Sequence, residues 1–130
     1  MIPTFDTCVV CDQIRPELNG KLIILGYLGI CPHVDITLPR LDQPTVLTFL
    51  ISGHGGDGLH TASVDTVDDA DRVIAEVAGV TFETDPIRHT DFGTSIVAVF
   101  GKPGRFAVRC VIDGIEQYRA HFWIRQGAQG

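Results

Sequence analysis

Basic residues are scarce in this sequence. Ten lysines and arginines stand against sixteen aspartates and glutamates, for a formal net charge of −6 at pH 7 and a pI near 5.1. General nucleic-acid binding neutralises many phosphates, so this balance argues against it while leaving room for a local basic patch. Long apolar runs are missing too. The longest, Leu22 to Cys31, spans ten residues, well short of the ~20 that a membrane-spanning helix needs, and no membrane association is expected. Met1 to Cys11 has no basic segment, and Asp6 and Asp12 bracket the nearby apolar run, so it does not read as a signal peptide. The expectation is a cytoplasmic protein. Cysteine is limited to four residues, expected in a reducing compartment as free, buried thiols rather than disulfides.

Familiar catalytic motifs are absent as well. The sequence holds no Walker loop, no dinucleotide-binding glycine fingerprint and no His-Glu-x-x-His pair. Ser52, Ser63 and Ser95 lie in or beside strand-like segments, and none occupies a Gly-x-Ser-x-Gly elbow. No enzyme of a known mechanistic class is visible, and no cofactor is expected.

What is present is alternation. In Arg105 to Ile112 every even position is apolar, and Tyr118 to Arg125 repeats the pattern after a turn at Asp113-Gly114-Ile115-Glu116. Period two marks a strand with one buried face. The even face holds Phe106, Val108, Cys110 and Ile112, so Cys110 reads as packing. With a turn of three or five residues, Arg109 is expected opposite His121 and Ala107 opposite Trp123.

Other segments fit the same architecture. Thr4 to Ile14 reads as a strand, and Asn19-Gly20 as a type I′ hairpin turn. Lys21 to Ile30 is apolar at both parities, as a central strand covered on both sides would be. Thr45 to Ser52, Leu59 to Val64, Val80 to Glu83 and Thr94 to Phe100 complete the strand set. Leu38 to Pro44 and Asp85 to Gly93 read as loops, and the glycines from Gly53 to Gly58 as irregular chain. Between them, Thr66-Val67-Asp68-Asp69 resembles a helix capping box, while Val73 to Val77 fits a strand. Seven or eight short strands with little helix predict an all-β fold, an antiparallel β-sandwich of immunoglobulin-like or C2-like character. A closed barrel is the alternative. One domain over residues 1–126 with a frayed tail at 127–130 is expected.

The block Cys11-Asp12-Gln13-Ile14-Arg15-Pro16-Glu17, with Asn19-Gly20-Lys21 and Leu25-Gly26, resembles the opening of a family of small uncharacterised bacterial all-β proteins. Pro103-Gly104-Arg105-Phe106 and Asp113-Gly114 resemble the last hairpin of that family, and the ends of many immunoglobulin-like and C2-like sandwiches. The resemblance covers both ends of the chain and implies a sandwich. It carries no reaction and no catalytic residue.

Several constellations carry chemistry in principle. His54, Asp57 and His60 lie in the glycine-rich loop Gly53 to His60 and are the right ligand types for zinc or another divalent transition metal. Cys8-Val9-Val10-Cys11 has zinc and redox spacing, with Cys31-Pro32-His33 as a further ligand source. On a strand, however, residues three apart point to opposite faces, so structural thiols are expected. Asp65 to Asp71 carries four carboxylates and reads as a solvated loop.

The odd positions of the final hairpin gather Arg109, Arg119, His121, Trp123 and Arg125 on one face. Arginine and tryptophan are enriched at interface hot spots, and an Arg over the Trp ring adds roughly 0.5–2 kcal/mol. His121 among arginines is expected to resist protonation. The same residues also suit a solvated face with Trp123 under a crossing loop. The sequence therefore predicts a non-catalytic binding module, with a protein partner or homodimer met through this face, or a small anion or glycan bound there. A metal-dependent site at His54, Asp57 and His60, for ligand binding or hydrolysis, is the alternative.

Overall fold

The computed structural model describes residues 1–127. Among these are nine strands and no helix: β1 (Thr4–Pro16), β2 (Leu22–Ile30), β3 (Asp35–Leu38), β4 (Thr45–His54), β5 (Gly58–Val67), β6 (Val73–Thr84), β7 (His89–Ala98), β8 (Gly104–Ile112) and β9 (Ile115–Gln126). One sheet has the order β2-β1-β4-β7, the other β3-β9-β8-β5-β6. The all-β expectation holds. The purely antiparallel one does not, because β3 runs parallel to β9, with Asp35 opposite Trp123 and Leu38 opposite Gln126. Gln126 is thus a strand residue, and Gly127 N donates to Leu38 O at 2.8 Å. The rest of the expected frayed tail, 128–130, lies outside the described residues.

The two sheets share one core. Phe49 on β4 meets Phe122 on β9 at a ring-centroid distance of 5.7 Å, and Phe82 on β6 stacks on Phe92 of β7 at 4.5 Å. Each fully buried phenylalanine contributes ~1.5–3 kcal/mol of transfer free energy. The last hairpin buries its even positions as expected, from Phe106 and Val108 to Phe122 and Ile124. Its register differs from expectation by two residues. Ala107 faces His121, Arg109 faces Arg119 and Arg105 faces Trp123. The turn has only two central residues, Asp113 and Gly114, with φ of 53° and 75°, the left-handed pair of a type I′ turn. A bulge between Cys110 and Val111 absorbs the odd residue.

Four other expectations are corrected. β1 and β2 form the expected hairpin, but five residues separate Pro16 from Leu22, and of Asn19 and Gly20 only the glycine has positive φ. The 53–58 segment shrinks to Gly55–Asp57 between β4 and β5. β7 starts at His89, inside the expected loop, because Thr90 and Thr94 turn inward between apolar residues and disguise the alternation. The strand readings of Val73–Val77 and Val80–Glu83 hold and merge in β6, while the capping-box reading gives way to an Asp68–Arg72 turn in place of any helix. Asp68 Oδ1 accepts from the backbone N–H groups of Ala70 and Arg72, both at 2.9 Å.

The largest correction concerns β2. It is the open edge of its sheet, not a central strand. Leu22, Ile23, Ile24, Tyr27, Leu28 and Ile30 are between 38% and 60% exposed. Apolar side chains at both parities suggest cover from two neighbours, yet among the described residues only β1 pairs with this strand.

Candidate functional site

The outer face of β8 and β9 does bring Arg109, Arg119, His121, Trp123 and Arg125 together, but not as free cations. Asp65 on β5 faces Arg109 in register and takes a bidentate pair from Nε and Nη2, both at 2.7 Å. Arg119 donates to Asp71 at 2.7 Å and to Glu116 at 2.8 Å. Arg125 Nε lies 2.7 Å from Asp35. The Asp68–Arg72 turn folds over this face, so Asp65 and Asp68 are buried rather than solvated. Arg119 holds Asp71 and Glu116 below the usual carboxylate range by hydrogen bonding. The His121 imidazole is also pushed down, chiefly by burial and then by Arg105 and Arg119. Trp123 remains 45% exposed. It faces Arg105, which has no ion-pair partner among the described residues.

The glycine-rich segment scatters its three candidate ligands. His54 Nδ1 lies 3.1 Å from Asp6 Oδ2, and Asp57 receives the Met1 ammonium at 2.7 Å. His60 Nε2 is 2.9 Å from Thr84 Oγ1, its ring stacked on Phe82 at 5.5 Å. Among the described residues no three His, Cys, Asp or Glu side chains converge as a metal-binding group.

The Cys8–Cys11 pair diverges. Cys8 pairs opposite Ile51 on the core face, whereas Cys11 pairs opposite Thr48 and its thiol points toward Gln13 O at 3.7 Å. Cys8 instead stands beside Cys31, whose N–H donates to Cys8 O at 2.9 Å.

No sequence signal announces a cleft of about 480 Å³ between the β1–β2 hairpin and the outer face of β4 and β7. Ile14, Pro16 and Leu22 line one wall, and Thr48, Asp91 and Ser95 the other. Thr48 Oγ1 lies 2.8 Å from Ser95 Oγ and donates to Asp12 O at 3.0 Å. The hairpin reaches so close because Gly93 has no side chain, for a Cβ there would stand 2.8 Å from Ile14 Cδ1. Beside the cleft, Ser52 Oγ donates to Asp91 Oδ1, and His89 Nε2 is 2.9 Å from the same oxygen. The carboxylate sits between hydroxyl and imidazole. The imidazole therefore does not touch the hydroxyl as it does in a Ser-His-Asp triad, and the three side chains tie β4 to β7.

No helix of the described residues is long and apolar enough to cross a membrane. No family model matches the chain, and no curated protein matches it. Among solved structures it is similar to the Pseudomonas fluorescens alkylpurine DNA glycosylase AlkC bound to DNA containing an abasic site analog, at 17% identity and a TM-score of 0.38. That likeness covers 72% of this chain and 28% of the glycosylase. At that level it carries no argument.

Proposed function

We propose that this protein is a non-catalytic interaction module that self-associates through the open edge of β2. One observation carries the reading. Six apolar side chains crowd an edge strand whose outer backbone groups have no neighbouring strand among the described residues. Sheet edges are normally blunted by charge or proline, because an open edge templates pairing with another chain. No charged residue and no proline lies between Leu22 and Ile30, and the one irregularity of the edge is a bulge at Leu28 beside the positive-φ Gly26 and Gly29. A second copy meets the requirement most simply, since a two-fold axis places two identical edges antiparallel, pairs their free backbone groups and sets their apolar side chains in cross-strand contact. We also take the fold to be a sandwich of immunoglobulin-like or C2-like character, in keeping with the shared core and with the resemblance of both chain ends to small bacterial all-β proteins.

A second reading keeps the β8–β9 face as the contact, supported by the exposed Trp123 opposite Arg105. Sedimentation velocity on the full chain separates the two. The edge reading expects a dimer that becomes monomeric in Tyr27→Lys/Leu28→Lys and persists in Trp123→Lys. The reverse pattern selects the hairpin face. A wild-type protein that stays monomeric at the highest soluble concentration overturns self-association by either surface.

A further inference from the structure

The pairing of β1 with β2 continues one step beyond Val9–Ile30 and sets Cys8 opposite Cys31. Directly opposed residues on antiparallel strands have Cα atoms ~4.5–5.5 Å apart, inside the span a disulfide bridges without backbone movement. Cys8 is wholly buried, whereas Cys31 is partly exposed. The exposure has a topological cause. β3 covers β9 only over Trp123–Gln126, so the Tyr118–His121 stretch faces the end of β2 across an open gap. Cys31 lines that gap, a cleft of about 250 Å³ shared with Asp6, Pro32, Tyr118, Arg119 and His121. The other two cysteines have no such setting, since Cys11 and Cys110 are buried.

We infer that Cys31 and Cys8 form a peroxide-oxidisable dithiol, with Cys31 the attacking sulfur and Cys8 the resolving one. The Cys31 thiolate attacks one oxygen of a hydroperoxide. The O–O bond breaks, a sulfenic acid forms on Cys31, and the leaving oxygen takes a proton and departs as water or an alcohol. The sulfur of Cys8 then attacks that of Cys31, the S–O bond breaks, and water leaves with the Cys8 proton. Two thiols lose two electrons to one hydroperoxide. Solvent access supports the order of roles, because Cys31 is the sulfur that a hydroperoxide can reach, and the adjacent Cys8 thiol lowers Cys31 below the usual thiol range while Cys8 is raised. Burial pushes Cys110 up to about 12, which keeps it inert.

The test is brief exposure of the reduced full chain to hydrogen peroxide, followed by alkylation and non-reducing peptide mapping. The expected product is an intramolecular Cys8–Cys31 disulfide, with Cys31 consumed roughly tenfold faster than Cys110. In Cys8→Ala, Cys31 should accumulate as a dimedone-trapped sulfenic acid. Should that variant fail to fold, early time points of the wild type must show dimedone on Cys31 before the disulfide forms. A Cys8–Cys11 bridge, an intermolecular Cys31 bridge, or Cys11 and Cys110 reacting as fast as Cys31 overturns the proposal.

Discussion

Arg109 and Asp65 face each other across β8 and β5, two guanidinium nitrogens on two carboxylate oxygens at 2.7 Å. Asp65 is 4% exposed, so its charge has little water and depends on Arg109. The adjacent Asp68–Arg72 turn is held separately, through Asp71 to Arg119 at 2.7 Å. Removing Arg109 leaves the Asp65 carboxylate desolvated and unpaired, which costs more than the pair contributes when intact, whereas Arg109 without Asp65 keeps Glu116 at 3.6 Å. Arg109→Ala should therefore lower stability by about 3 kcal/mol, read from urea denaturation. Asp65→Ala/Arg109→Ala should recover part of that loss. Additive losses in the double variant would show that the two side chains act independently.

The next residue along β5 carries the opposite defect. Thr66 is wholly buried, and its hydroxyl has no hydrogen-bond partner among the described residues. An unsatisfied buried hydroxyl costs ~1–3 kcal/mol, whereas a methyl of similar shape carries no such penalty. Thr66→Val should raise the urea midpoint by an amount equivalent to about 1 kcal/mol, with an unchanged denaturant slope. A lower midpoint would show that the hydroxyl makes a bond that the side-chain geometry conceals.

Legibility of the fold follows how local each cause is. The buried even positions from Phe106 to Ile124 are legible because strand period is a property of neighbouring residues. The pairing register depends on the Asp113–Gly114 turn and on the bulge at Cys110/Val111, which alternation does not encode. β3 leaves no mark in the sequence because it is four residues long and is held by β9, some ninety positions away. β2 resembles a central strand because double-sided apolarity is common to a covered strand and an edge that lacks a partner. At the site, the arginine stripe is legible from its spacing. Its neutralisation by Asp65, Asp71, Glu116 and Asp35 is not, since three of those carboxylates come from other strands or turns.

His121 gives the chain a dependence on mildly acidic pH. Its folded-state pKa lies below the ordinary 6.5, from burial first and then from Arg105 and Arg119. Below pH 6.5 the unfolded chain binds a proton here that the folded chain resists, so stability falls as pH falls. Asp71 and Glu116 shift downward from 3.8 and 4.5, and their contribution is lost only at lower pH. His121→Gln should flatten the stability profile between pH 6.5 and 5, about the range where the unfolded imidazole titrates. An unchanged slope in the variant would assign the effect to another group.

Gly53 tests whether the glycines near His54 serve a ligand or the fold. It pairs opposite Phe5, and a Cβ there would overlap the Thr4 carbonyl oxygen and stand 3.0 Å from Phe5 Cα. Both obstacles are backbone, so no rotamer change relieves them, and β1 must move off β4. Gly53→Ala should cost about 2–3 kcal/mol. Gly93→Ala should cost less, because the obstructing atom is Ile14 Cδ1, the end of a side chain that can turn away. Gly55 has φ of 76°, and a Cβ added there would meet nothing within 4 Å, so alanine adds only ~1 kcal/mol of left-handed strain. If the segment serves a ligand, Gly55→Ala should impair binding while lowering stability by no more than that strain. If neither variant changes binding and Gly53→Ala costs well over what Gly55→Ala does, Gly53 is there to let two strands touch.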